Sequence, residues 1–443
     1  MATLTRFSPA GTVRRLASHL GTPLGRNGYA LVFSSMTTSG LGALYWTLAA
    51  RGYPPEVVGR NAAMIAAMMF LAGVSQLNLM SALVRFVPGA GRATTALVVG
   101  AYALAAAVAA LASLLFLAWP TGWGSGLEFL RASPLFALWF TTATIGWCIF
   151  VLQDSVLTGL RQAVWVPVEN TLFALTKLAL LVAMARAWPD FGIFASWTAA
   201  LAASVVPTNL LLFGRLIPKH VRESRGRASQ LVRREIVTFV SGDYVGALCW
   251  LAATTLLPVI VSDAAGPAPV AYFYLPWQIA LLLLAISPNM GASLIVEAAT
   301  DQSMLRLGAR RVLAHSALLV VPAAAAVAVG APYLLSIFGP DYAAEGTPLL
   351  RLLALAALPN LVTSLSVSIA RAQRRIWAVV LVLALLCALT LGLSYVLVRT
   401  HGITGVGIAW LVSQSTVAAV AWLAQLRPLG AARSPGDVAR LAP

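Results

Sequence analysis

Apolar runs of about twenty residues recur along nearly the whole chain, and this repetition limits its folds more than any motif does. A run of that length crosses a hydrocarbon core of about 30 Å as a helix rising about 1.5 Å per residue. Twelve such runs lie near residues 28–50, 61–84, 94–119, 135–153, 165–187, 191–213, 237–262, 270–296, 312–338, 348–370, 376–398 and 403–426. In hydrocarbon a segment has to bond its own backbone polar groups, so each run predicts a helix. The expected fold is an all-α polytopic membrane protein with twelve transmembrane helices. Charged residues make up only 10% of the chain, against about 25% in soluble domains.

A net charge of +16 would suggest nucleic acid as the partner of a soluble protein. Here the basic residues follow the connectors instead. With the N-terminus inside, 23 of the 30 lysines and arginines fall on the cytoplasmic side, which by the positive-inside rule places both termini in the cytoplasm. Basic loops on that side are expected to meet anionic membrane lipids, and no nucleic acid is expected. The abundance of arginine and alanine suggests a GC-rich bacterial gene, hence a bacterial plasma (inner) membrane.

The longest basic connector, residues 214–236, follows the sixth run and divides the chain. The expected organisation is a cytoplasmic segment 1–27, a six-helix lobe 28–213, the linker 214–236, a second six-helix lobe 237–427 and a cytoplasmic tail 428–443. Because six is even, both lobes enter the membrane in the same direction, so an internal repeat would be parallel. Ser75, Ser81 and Val84 recur as Ser287, Ser293 and Val296, each 212 residues later. Pro207, Pro258, Pro276, Pro288, Pro322, Pro332 and Pro359 interrupt the later runs and predict bends.

Charges inside the runs are the sharpest functional signal, since Lys or Asp at a helix centre costs about 2.5 to 3.5 kcal/mol on insertion scales. Lys177 lies near the middle of the fifth run. Asn170 shares its helical face, and Glu169 and Thr176 flank that stripe. Gln153 and Asp154 close the fourth run, and Asp243 lies early in the seventh. Two readings follow. Lys177 forms a static interhelical pair with Glu169, Asp154 or Asp243, or it lines an aqueous cavity and meets an anionic substrate. Arg85 and Glu297 sit at equivalent positions of the repeat, near the cytoplasmic face. For coupling to H⁺ or Na⁺, Asp243 is the leading carboxylate, with Asp154 beside it.

Enzyme signatures are missing. There is no GxxxxGK[ST] phosphate loop, and His19, His220, His315 and His401 are dispersed without metal-ligand spacing. Cys148, Cys249 and Cys387 all fall inside runs and read as core residues. No catalytic residue, metal or cofactor is expected.

Four segments resemble a known family: LAARGYPPEVVGRNAAMIAAMMFLAGVSQLNLMSALVRFVP (48–88), SVLTGLRQAVWVPVENTLFALTKLALL (155–181), AYFYLPWQIALLLLAISPNMGASLIVEAATD (271–301) and FGPDYAAEGTPLLRLLALAALP (338–359). They are similar to the polysaccharide (O-antigen type) repeat-unit flippases of the multidrug/oligosaccharidyl-lipid/polysaccharide exporter superfamily. The resemblance implies two six-helix lobes around a central cavity that opens alternately to each side. It implies a lipid-linked cargo, an undecaprenyl-diphosphate oligosaccharide, moved to the outer leaflet for surface polysaccharide synthesis. Lys177 and Arg85 would then offset the diphosphate charge, while Asn170, Glu169 and Gln153 would hydrogen-bond sugar. The lipid II branch carries arginines within its first helices, whereas no cation lies between Arg26 and Arg51 here. The alternatives are a cation-coupled exporter of small amphipathic compounds with the same fold, and an integral-membrane cell-wall assembly enzyme or scaffold.

The orientation has a direct test. A cysteine introduced at Ser125 should react with an impermeant reagent in intact cells and one at Ser229 should not; the opposite pattern overturns the topology.

Overall fold

The computed structural model describes residues 23–118, 127–224, 244–300, 305–373 and 375–426, without the side chains of 23–37, 186, 289, 291–300, 305–307 and 425–426. Asp243, most of the basic connector and the C-terminal tail therefore lie outside the described residues, as does the side chain of Glu297. Every regular element described is helical. In chain order these are α1 (Pro23–Gly52), α2 (Pro55–Ser75), α3 (Leu79–Phe86), α4 (Thr94–Ala118), α5 (Pro134–Gly159), α6 (Trp165–Ala187) and α7 (Gly192–Leu211). After the connector come α8 (Tyr244–Thr255), α9 (Leu257–Ala265), α10 (Pro267–Thr300), α11 (Leu305–Ser336), α12 (Pro340–Ala372) and α13 (Ile376–Ala421).

Among the described residues nine helices are long and apolar enough to cross a membrane, or ten if the bent pair α8–α9 is one span. Two features reconcile this with twelve apolar runs. Gly402 interrupts α13 with φ 58° and ψ −147°. A Cβ added at Gly405 would lie 2.2 Å from the Leu397 carbonyl oxygen, so the helix folds back on itself into two arms filling the eleventh and twelfth runs. The first run is α1, 30 residues long. The second is broken between α2 and α3, where Leu77 and Asn78 take left-handed φ values of 47° and 57°. Beyond α7 the sixth span continues through a π-helical turn, Leu212–Leu216, into Ile217–Glu223, so helix occupies the first part of the expected linker.

Burial separates inner helices from outer ones. The apolar windows of α2 and α12 are each 72% buried, against 17% for α11. Small residues at Ala62, Ala63, Ala66 and Ala67 let neighbours approach α2 closely, as helix packing without a hydrophobic driving force requires. In consequence α2 packs on α4 and α5 of the first half and on α8, α9 and α10 of the second. α6 packs against α1 and α7, and α12 against α10, α11 and α13.

We call the basic end the one carrying Arg85, Arg92, Arg161, Arg371 and Arg375. At the opposite end the halves are in contact. Arg51 Nε at the end of α1 donates to the Ile337 carbonyl oxygen at 2.9 Å, just past α11. A Cβ on Gly59 of α2 would sit 1.7 Å from the Pro267 carbonyl oxygen at the start of α10. Only glycine permits that approach.

Three prolines of the second half each delete an amide donor inside a span, and a neighbouring helix supplies a replacement. The Thr254 carbonyl, left by Pro258, accepts from Trp277 Nε1 at 3.0 Å. The Leu284 carbonyl, left by Pro288, accepts from Asn360 Nδ2 at 3.4 Å, and that of Ala328, left by Pro332, from Arg351 Nε at 3.2 Å.

Replacing Gly59 by Ala should destabilise the closed arrangement by about 1–3 kcal/mol, the usual cost of overpacking. A Gly59→Ala protein that melts in detergent at the temperature of the parent would contradict the close α2–α10 approach.

Candidate functional site

Between the halves lies a cavity of about 370 Å³. From the first half it is bordered by Trp46 and Gly42 of α1, Met69 of α2, Lys177 of α6 and Trp197 of α7; from the second by Thr254, Pro258, Tyr274, Trp277 and Gln278. Trp46 and Tyr274 meet across the halves with ring centroids 4.7 Å apart.

Lys177 is 7% exposed. Its Nζ lies 4.0 Å from the ring centroid of Trp197, 4.9 Å from that of Tyr45 and 5.0 Å from that of Phe173. The rings are held in place by their own packing, and the Tyr45 hydroxyl donates to the Ile193 carbonyl oxygen at 2.9 Å, with Ser196 Oγ also 2.9 Å away. A desolvated cation–π contact is worth about 2 kcal/mol, so three faces offset much of the cost of burying an ammonium. Among the described residues no carboxylate oxygen lies within 4.0 Å of Lys177 Nζ; the ion pair found is Lys219–Glu223, at 3.8 Å. Lys177 is thus placed against rings and the cavity, apart from Glu169 and Asp154.

Glu169, Asn170, Gln153 and Asp154 meet each other elsewhere. Gln153 Nε2 donates to Glu169 Oε1, Asn209 Nδ2 of α7 donates to Gln153 Oε1 at 2.7 Å, and Asn170 Nδ2 donates to Asp154 Oδ2 at 3.3 Å. The cluster joins α5, α6 and α7 towards the basic end. Glu169 also takes a side-chain hydrogen bond from Thr208 of α7, whereas the buried Asp154 Oδ1 and Asn209 Oδ1 have no hydrogen-bond partner, nor does the nearby hydroxyl of Tyr102 on α4. None of these side chains borders the Lys177 cavity. Arg85, at the end of α3, is exposed with its guanidinium 5.6 Å over the Phe86 ring, also away from the cavity.

The sequence reading missed Asn209 and Tyr102, although Asn209 is a polar residue late in an apolar run, two places after Pro207. It also missed Trp46, Tyr274, Trp277 and Gln278. Rings are ordinary core residues by composition, and only the meeting of α1 with α10 makes these a cavity wall.

Neither a family profile nor a curated protein sequence matches the chain. Solved structures do. A multidrug resistance MATE family transporter of the MOP superfamily in an inward-facing conformation superposes with a TM-score of 0.70 at 14% identity, covering 89% of this chain and 94% of that one. The chain shares its fold. A MATE family transporter in an outward-facing conformation gives a TM-score of 0.61 at 14% identity, covering 95% and 98% of the two chains. The lipid II flippase MurJ in an inward closed conformation gives 0.63 at 11% identity, covering 90% and 86%.

The aromatic setting of Lys177 predicts energetic coupling. In a double-mutant cycle of Lys177→Gln with Trp197→Leu, unfolding in mixed micelles should give a coupling of about 0.5–2 kcal/mol. Additive effects would show that the ring contact contributes nothing.

Proposed function

We propose that the protein is a flippase that moves a lipid-linked oligosaccharide, carried on undecaprenyl diphosphate, from the inner to the outer leaflet by alternating access. The observation that carries this reading is Lys177: a buried cation with no carboxylate partner among the described residues, on the wall of a cavity to which both halves contribute. A diphosphate entering an apolar bundle needs a cation to offset its desolvation. Trp46, Tyr274 and Trp277 offer ring faces for sugar, and Gln278 an amide.

On this reading the basic end faces the cytoplasm of a bacterium, where its arginines meet anionic lipid headgroups. The halves touch at both ends, through Arg51 and Gly59 at the outer one and through the Tyr244 hydroxyl donating to the Val74 carbonyl oxygen at the basic one. Residues 28–213 and 237–427 act as the two rocking lobes, with 214–236 as their connection. Asp154, beside Glu169, is the candidate carrier of a coupling proton or Na⁺; Asp243 is a second candidate. Arg85 serves as a mouth residue that attracts the phosphate.

A second reading, a cation-coupled exporter of small amphipathic compounds, is favoured by the buried Asp154–Glu169 cluster and by the fold shared with a multidrug resistance transporter. Proteoliposomes separate the two. A fluorescent polyprenyl-diphosphate disaccharide should be translocated by the parent protein; Lys177→Gln should slow this at least about tenfold, and Lys177→Arg should retain partial activity because the charge remains. Asp154→Asn should abolish the response to an imposed ion gradient. Translocation of the glycolipid by Lys177→Gln at the parent rate would remove Lys177 from the mechanism, and gradient-dependent efflux of a lipophilic cation with no glycolipid movement would favour the exporter.

A further inference from the structure

The second half contains another cavity, of about 510 Å³, which the translocation reading does not use. One wall is a polar stripe of α12 made by Asn360, Thr363, Ser364, Ser368 and Arg371 at helical spacing. The facing wall is apolar, with Trp250, Leu281, Leu284 and Pro288. Arg371 is in the last turn of α12, at the basic end, about 16 Å along the helix from Asn360. No acidic side chain lines the cavity, and Leu281 borders both it and the Lys177 cavity.

We propose that this cavity is a second binding site, taking the phosphate-bearing headgroup of a lipid, with the phosphate at Arg371 and the adjoining part of the lipid between the hydroxyl stripe and the apolar wall. Three observations combine to carry the assignment. A guanidinium presents five donors in a fork that matches phosphate oxygens. The hydroxyls extend that donor set inward. Thr363 Oγ1 donates to the Pro359 carbonyl oxygen and Ser364 Oγ to Asn360 Oδ1, both at 3.4 Å, while Ser368 Oγ donates to the Ser364 carbonyl oxygen at 2.9 Å. The two long bonds are weak ones. Rotating those hydroxyls towards an anionic oxygen exchanges them for charge-assisted bonds roughly twice as strong. The facing wall, finally, offers the headgroup's apolar continuation a surface that a free anion would not use.

Asn360 has a separate task here. Its Nδ2 reaches the carbonyl left open by Pro288, a long bond that links the polar wall of α12 to α10. On the proposed topology the site opens to the cytoplasmic side and precedes the Lys177 cavity. Only that order rests on the translocation reading.

The test uses full-length protein in nanodiscs of zwitterionic lipid, with Cys148, Cys249 and Cys387 replaced by Ala and Ser364→Cys added as a maleimide reporter. Farnesyl diphosphate should slow labelling about fivefold or more, phosphatidylglycerol added to the disc should also protect, and inorganic pyrophosphate or farnesol should change the rate less than about twofold. Whichever of these two probes protects at the lower concentration identifies the source of the headgroup, a prenyl diphosphate or a glycerophospholipid. Arg371→Gln should abolish protection and Arg371→Lys should keep part of it. Protection by pyrophosphate equal to that by farnesyl diphosphate would make this a free-anion site and overturn the proposal; equal protection by farnesol would reduce it to an apolar pocket and do the same. If the reporter variant fails to fold, the rise in melting temperature that farnesyl diphosphate gives the unmodified protein, lost in Arg371→Gln, replaces it, and no rise overturns the site. No movement of the glycolipid by the parent protein in proteoliposomes, while protection at position 364 persists, would remove the translocation reading and leave this site standing.

Discussion

A carbonyl that loses its helical donor inside hydrocarbon has to find another, and the second half of this protein is organised around that requirement. Pro258, Pro288 and Pro332 open three carbonyls, and Trp277, Asn360 and Arg351 close them from neighbouring helices. Each replacement bond ties the proline site to the helix beside it. α8 is thereby fixed to α10, α10 to α12, and α11 to α12. Pro258 and Trp277 also border the cavity between the halves, while Pro288 and Asn360 border the one within the second half. Two of the three proline sites therefore lie on cavity walls.

Lys177 and the Asp154–Glu169 cluster resolve the problem of intramembrane polarity in two ways. The lysine is stabilised by ring quadrupoles, which attract a cation without neutralising it, so its charge remains available to an anion in the adjoining space. The carboxylates are held by donors from Gln153, Asn170 and Thr208, with Asn209 behind Gln153, and Asp154 keeps one acceptor oxygen unpartnered. A site with a positive charge and one with carboxylate oxygens suit opposite ligands, and they lie at different heights along α6.

The conformation follows from α2. Its run of alanines makes it the helix that both halves share, and Gly59 lets its outer end reach the backbone at Pro267. Arg51 and the Trp46–Tyr274 pair add contacts across the halves, Arg51 at that same end. The interface thus combines close backbone approach at the outer end with ring packing nearer the middle.

The apolar runs by themselves determine an all-helical membrane-spanning chain, because backbone polarity in hydrocarbon leaves no other local solution. They also set the position of Lys177 within its span, since depth is a matter of counting residues. Boundaries were less legible: the break at Leu77 and Asn78 and the fold-back at Gly402 depend on single backbone conformations that an apolar pattern does not encode. The polar stripe on α6 gave no hint that its members divide between two environments. Asn170 shares a face with Lys177, yet Asn170 is lower on the helix, where it meets Asp154 of α5, and Lys177 is higher, where it meets rings from α1 and α7. Partner choice across helices is fixed by which helices pack together and at what height, and that is a property of the tertiary structure alone.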